Sequence, residues 1–463
     1  MRYILILFLL CSLYIKGNTT IYGTAFGSKN SYVYASLVDD YLTNAETLVY
    51  NTVVNSEGRF VIELENLGMR KIVIRINNSY AKLYIQNDAT YIVDFPEETI
   101  DVIPYFSGSE TEIFFFNLDS TDINYKILGF EAWMDDEIAN LYILKDVEPV
   151  KFIEGVLQFK TDIQTAYAAD TCSYFKNYIK YSLGKNLDNI QYFGAPTKRS
   201  KYEFFIKNEP LQYHNPAYMD YVNDFYDEYL FQLNNMIRKP LIQSIYNLNA
   251  ANMITAIEFD SLIPNHMFAE LIALKIIQQE YHSDRLPKNN LIDLTNQIRL
   301  NTLNSENQKI ATNLIKEFYT ITSGDLLPNM YLNEHHQLKA RQQKYLYIHL
   351  FDPNNPNSLS EISALKRLQQ KYNNEIEFVT IYLNQSTLTN DFSNRVLENI
   401  TWNVFALDYG HSLWKALNIG SFPYYILVNP NQKIIRLPAL GPSPNGSYET
   451  IEKTFYDIQK GTF

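Results

Sequence analysis

The chain has 463 residues, 46% hydrophobic and 14% aromatic, enough to build several aromatic-rich cores. Its formal net charge of −12, with no Lys/Arg cluster, argues against nucleic acid or an anionic membrane as partner. Two cysteines, Cys11 and Cys172, are too few for a disulfide framework.

Residues 1–17, MRYILILFLLCSLYIKG, put Arg2 ahead of an apolar run and predict a secretory signal peptide, with Gly17 as the cleavage point. Losing Arg2 and Lys16 would take the charge from −12 to −14 and remove Cys11. Bulky Leu10 before Cys11 argues against a lipid anchor. No later window is apolar and long enough for a transmembrane segment, so the mature chain is expected in the periplasm or cell envelope.

Residues 18–105 read as short strands: 20–26, 32–37, 60–64, 71–76 and 81–85, rich in β-branched and aromatic residues and separated by turn chemistry such as Asn55-Ser56-Glu57-Gly58. The expectation is a small antiparallel β-sandwich. In residues 106–322 the period changes to three and four. Tyr218, Tyr221, Val222, Phe225, Tyr229 and Leu233 form one face after Pro216, and further faces follow Pro264 and include Ile310, Leu314, Ile315 and Phe318. This predicts a helical region, with Asn215-Pro216 and Lys239-Pro240 as breaks.

Residues 323–463 alternate strand and helix: strands at 345–351, 376–383, 424–428 and 433–437, helices at 360–372, 385–399, 411–418 and 448–460, and an added hairpin at 330–339. Gly324 and Pro328 give Gly-x-x-x-Pro at the start, Tyr345–Phe351 is an apolar strand, and Pro423 precedes a later one. This ensemble resembles the exported TlpA-type thioredoxin-like proteins, related to the AhpC/TSA peroxiredoxins. The resemblance implies a thioredoxin fold over the last third, with Phe422-Pro423 cis. Asn55 to Phe60 likewise resembles the hairpin of β-sandwich modules that precede such domains. The implied whole is multidomain α+β: signal peptide 1–17, β-sandwich 18–105, helical domain 106–322 and α/β thioredoxin-like domain 323–463.

Where that family carries Cys-x-x-Cys, this chain has Asn355-Pro356-Asn357-Ser358. Disulfide exchange needs an attacking thiolate and a resolving thiol, and neither Asn nor an unactivated Ser replaces them. Glu361 matches the family's proton-managing glutamate. The same residues also read as a capping box, Ser358 capping a helix and Glu361 answering its amide, which is the preferred reading without a thiol to serve. The cis-proline loop of Phe422, Pro423 and Tyr424 offers a groove for an extended peptide; the competing reading is that its aromatics pack in the sheet. Cys172, in a stretch expected to be helical and without Lys, Arg or His within three residues, reads as a buried, inert cysteine. Seven histidines show no metal-ligand spacing, Trp133 to Glu137 reads as a solvated helix start, and no cofactor motif appears.

The expected function is a redox-inactive thioredoxin-like module with a structural or protein-binding role toward an envelope protein or peptide. The alternatives are a thiol-disulfide or peroxiredoxin-like enzyme using an external thiol, which needs Cys172 beside Ser358 and Pro423, and a holdase-type chaperone with an exposed aromatic groove.

Overall fold

The computed structural model describes residues 18–463 except 66, 78, 97–108, 189, 191–194, 284, 329, 334–335, 342, 352–359, 385–396, 398–399, 409–411, 418, 420–421 and 445–448. The chain is mixed α+β, with strands at both ends and helices between.

The N-terminal strands are β1 (Thr19–Thr24), β2 (Tyr32–Val38), β3 (Glu46–Val53), β4 (Arg59–Leu64), β5 (Arg70–Ile76), β6 (Ser79–Ile85), β7 (Thr90–Asp94), β8 (Ser109–Glu110) and β9 (Phe114–Phe115). They form two sheets, ordered β4-β1-β7-β9 and β3-β2-β5-β6-β8. Alternation drives their packing: Phe60, Ile62 and Leu64 point inward from β4 while Arg59, Val61 and Glu63 face out. Inward residues of both sheets, among them Ile21, Val33, Ile62, Ile74 and Tyr91, form one apolar cluster. The arrangement is not wholly antiparallel as expected, because β1 runs parallel to β7 and β6 parallel to β8. The sequence reading also missed β3 and β7, and strand pairing continues past residue 105 into β8 and β9. The outer residues of β3 lack a fully buried face, which blurs its pattern.

Eleven helices follow among the described residues: α1 (Ile123–Val147), α2 (Pro149–Ala166), α3 (Ser173–Asn186), α4 (Lys198–Phe205), α5 (Pro216–Phe225), α6 (Tyr229–Gln232), α7 (Asn235–Tyr246), α8 (Ala250–Glu258), α9 (His266–Ser283), α10 (Lys288–Asn301) and α11 (Ser305–Phe318). Asn215 caps α5 by accepting from Tyr218 N–H, with Pro216 at the first turn where a missing N–H costs nothing. The face read from Tyr218 to Leu233 spans a break: α5 ends at Phe225, and Glu228 adopts a left-handed φ of 47° before α6. Pro240 does not interrupt the chain as expected but lies inside α7. Trp133 to Glu137 fall in the middle of α1 rather than at a helix start. Leu42 and Tyr84 of the strand region belong to the same buried cluster as the helices.

The C-terminal part contains the hairpin β10 (Met330–Asn333) and β11 (His336–Leu338), then β12 (Tyr345–Phe351), α12 (Ile362–Tyr372), β13 (Ile376–Asn384), β14 (Asn403–Asp408), α13 (Ser412–Leu417), β15 (Tyr424–Val428), β16 (Ile434–Arg436) and α14 (Ile451–Lys460). The sheet order is β14-β13-β12-β15-β16. β12, β13 and β14 are parallel, and β15 and β16 return antiparallel. A parallel βαβ unit continued by an antiparallel hairpin is the thioredoxin-like arrangement that the resemblance implies. β14 was not foreseen; it adds a parallel edge strand beside β13. Both sheet faces are covered, by one cluster including Leu346, Ile348 and Leu350 and another including Tyr347, Leu365 and Phe455.

Candidate functional site

Strand register locates the cleft that the resemblance singles out. Leu350, next to the end of β12, pairs with Tyr424, so the cis Phe422-Pro423 bond lies at the carboxyl end of β12. In open sheets with parallel strands this is the end where ligands collect. Asn355, Pro356, Asn357 and Ser358, four residues beyond that strand end, lie outside the described residues. The capping role read for Ser358 falls there too. Glu361 is described: it is buried and immediately precedes α12, and the Ser358 amide that it would answer lies outside the described residues. Ser360 is helical, Glu361 forms a turn, and α12 runs on from Ile362, while residues 352–359 lie outside the described residues.

The aromatics after the proline divide between the two faces of the sheet, as alternation requires. Phe422 and Tyr424 are half-buried against the cluster of Leu350 and Ile426, with Trp414 edge-on to Phe422 at 5.9 Å. Burial pushes the Tyr424 phenol up from its ordinary value. Tyr425 faces the other way and is fully buried, stacked on Tyr347 at 5.4 Å and on His349 at 5.1 Å. So Tyr425 packs in the sheet, while Phe422 and Tyr424 retain partial access.

His349 is the residue that sequence reading missed. It lies on the central strand, and cross-strand pairing aligns it between Thr380 and Tyr425. Its Nδ1 is 3.2 Å from Thr380 Oγ1, which also accepts from Trp402 Nε1 at 2.9 Å. Its Nε2 has no hydrogen-bond partner among the described residues. Burial alone pushes the imidazole down to about 3, so the ring is neutral at pH 7. The signal available was a single polar residue in the apolar run Tyr345–Phe351.

Cys172 is elsewhere. It is the residue before α3, half-buried against the helical cluster, and its N–H bonds Asp170 Oδ1 at 2.7 Å. The stretch expected as one helix is instead the junction of α2 and α3. Cys172 joins neither apolar cluster of the C-terminal sheet. His336 sits in the β10–β11 hairpin; His335 and His411 lie outside the described residues. Among the described residues no group of His, Cys, Asp and Glu is placed to hold a metal, and no helix is long and apolar enough to cross a membrane.

No protein-family model matches the chain, and no curated protein matches it. Solved structures similar to it include a thioredoxin-like protein from Bacteroides caccae, 13% identical, covering 58% of this chain and 96% of its own at a TM-score of 0.27. The thioredoxin domain of a thiol-disulfide oxidoreductase from Bacteroides vulgatus is 15% identical and covers 31% of this chain and 100% of its own, TM-score 0.24. A thiol:disulfide interchange protein from a Bacteroides species is 18% identical and covers 31% and 95%, TM-score 0.25.

Proposed function

We propose that this chain is an exported cell-envelope protein whose thioredoxin-like C-terminal domain has no redox cycle and serves as a structural or protein-binding module. The observation that carries the reading is the thiol inventory. The full sequence has only Cys11 and Cys172, so residues 173–463, which include the whole C-terminal sheet, contain no cysteine. With no thiolate at the carboxyl end of β12, neither attack on a disulfide nor resolution of a mixed disulfide has a group to perform it. What is left at that end is a cis-proline loop with two half-buried aromatics, suited to pairing with an extended segment of a partner.

The enzyme reading would route an external thiol through Cys172. Packing of Cys172 on the helical cluster speaks against it. The test is insulin reduction and peroxide consumption by the mature protein with dithiothreitol. Expected is no turnover above the reagent background, unchanged in Cys172→Ala. Turnover that disappears in Cys172→Ala would promote the enzyme. The alignment itself is tested by Asn355→Cys combined with Ser358→Cys. Oxidation should join the two introduced thiols; if both stay free alongside Cys172, the assignment of a lost Cys-x-x-Cys site is wrong.

A further inference from the structure

Arg70 opens β5, and its guanidinium leaves the strands to meet the helices. The group it touches there is the imidazole of His214, in the loop between α4 and α5. An arginine only donates, so His214 Nδ1 must carry the lone pair and Nε2 the proton. Nε2 lies 3.5 Å from Glu306 Oε1 in the first turn of α11, and Lys309 Nζ stands 3.5 Å from the other oxygen of that carboxylate. A cation, a neutral ring and a carboxylate thus run in line from a strand to a helix.

The ring is fixed from both sides along the chain. Tyr213 is buried and donates its hydroxyl to Asn307 Oδ1 at 2.8 Å, and Asn215 caps α5 and donates to the Tyr174 carbonyl at 3.3 Å. The His214 carbonyl itself accepts from the Tyr174 hydroxyl at 3.1 Å. Side-chain exposure is 30% for His214 and 23% for Glu306, so water screens the line only in part.

A proton on Nδ1 removes the acceptor and sets an imidazolium against the guanidinium it touched. The surrounding groups divide. Burial first, then Arg70 and Lys309, oppose the charge on His214 and push it down to about 4, against the pull of Glu306. Tyr174 of α3, together with Asp39 and Tyr41 of the β2–β3 loop, acts on half-buried Arg70 through space, as Glu306 does. We infer that the Arg70–His214–Glu306 line is an acid-sensitive latch: a proton on His214 displaces Arg70 and loosens the joint between the strands and the helices. The rest of the joint is hydrogen bonds and packing, including Asn124 with Tyr84, Asn313 with Asp40 and Asn223 with the Tyr41 carbonyl. The sign follows from linkage. Above pH 6.5 neither the closed nor the open joint binds a proton at this ring, and between 6.5 and 4 only the open one does. The opening constant should therefore rise roughly twentyfold from pH 7 to pH 5 and level off below pH 4. The latch lies outside the C-terminal sheet and stands or falls independently of the function proposed for that domain.

The test is amide hydrogen exchange on residues 18–463, read at Tyr84 N–H, which donates to Asn124 Oδ1 at 2.7 Å across the joint. Dividing by the intrinsic exchange rate at each pH gives the opening constant. The roughly twentyfold rise from pH 7 to pH 5 is expected in the parent. His214→Asn puts an amide oxygen where Nδ1 stands, accepts from Arg70 and does not titrate, so the rise should disappear. The imidazole proton resonances supply a second readout: Arg70→Met should move the His214 titration up toward 6.5, and Glu306→Gln should move it down. A histidine with a purely structural role predicts no such opposed pair of shifts. No rise by pH 5 overturns the proposal. An equal rise in His214→Asn overturns it too and assigns the acid response to the carboxylates of the joint, Asp39, Asp40 and Glu306. Should His214→Asn melt well below the parent, the titration in Arg70→Met decides: a His214 titration left where it was means that the two groups do not oppose each other, and the latch does not exist.

Discussion

His349 concentrates, in one side chain, what a polar group must do to survive in a β-sheet core. Its ring stacks on Tyr425, lies tilted beside Phe351 and reaches a hydroxyl through one nitrogen only. Folding therefore holds it neutral, and burial carries its folded value down to about 3 from the ordinary 6.5. The sign follows from linkage. Above pH 6.5 neither state binds a proton there and the contribution to stability is whole. As pH falls, the unfolded chain takes up a proton that the folded chain refuses, and stability drains away until the folded value is reached. His349→Phe, which keeps the stacking, should remove up to about 1.4 kcal/mol per pH unit from the acid slope of unfolding free energy below pH 6.5. Urea titrations at a series of pH values between neutrality and mild acid measure that slope, and an unchanged slope would mean the ring is hydrated in the native state. His214 supplies a second contribution of the same sign: burial first, then the Arg70 guanidinium, push it down to about 4 against the pull of Glu306. None of this was legible in the sequence, where His349 is one polar residue in an apolar strand. Pro423 was legible, because the proline and its aromatic flanks repeat a known order.

At the scale of elements, hydrophobic alternation carried the reading as far as each strand or helix had one buried face. Tyr345–Phe351 is a strand from end to end as expected, and the hairpin at 330–339 is present. The edge strands β3 and β14 were missed because an edge exposes part of both faces and loses its alternation. Pro240 misled in the other direction: proline breaks a helix when the lost bond and the ring cannot be accommodated, but here α7 continues past it. The hairpin of Asn55 to Phe60 shows the same logic in detail. Asn55 Oδ1 accepts from Glu57 and Arg59 N–H, Gly58 takes a φ of 82°, and Phe60 is delivered into the core opposite Gly23. The Phe60 ring covers the Gly23 backbone so closely that an added Cβ would stand 2.0 Å from Cζ. Gly23→Ala should therefore cost about 1–3 kcal/mol through displacement of a packed ring. Gly23→Ala combined with Phe60→Leu, which makes room, should cost less than the sum of the two single changes. Additive losses in chemical denaturation would show that the ring moves aside freely.

At the scale of the molecule, the question is how many units unfold. The loop after β2 is bound into the helices. Buried Asp40 accepts from Leu42 and Thr43 N–H through Oδ1 and from Thr43 Oγ1 and Asn313 Nδ2 through Oδ2. Asn223 donates to the Tyr41 carbonyl at 2.9 Å, and Gln278 to that of Leu42 at 3.1 Å. Asn124 of α1 pairs with both backbone groups of Tyr84 on β6. With Leu42 and Tyr84 inside the helical cluster, strands and helices share buried apolar surface and have little reason to separate. The two C-terminal clusters, by contrast, draw no described residue from before Ile321. Calorimetry of residues 18–463 should then resolve two transitions, one for the strands and helices together and one for the thioredoxin-like part. Asp40→Ala strands two backbone donors and the Asn313 amide, each costing about 1–3 kcal/mol where water cannot replace the lost acceptor. It should lower the first transition and leave the second in place, while His349→Phe should alter only the second. If both transitions move with Asp40→Ala, the chain folds as one cooperative unit and the division at 322/323 has no thermodynamic meaning. If the first splits instead, the contacts through Asp40 and Asn124 are too weak to couple strands to helices, and the strand region is a domain of its own.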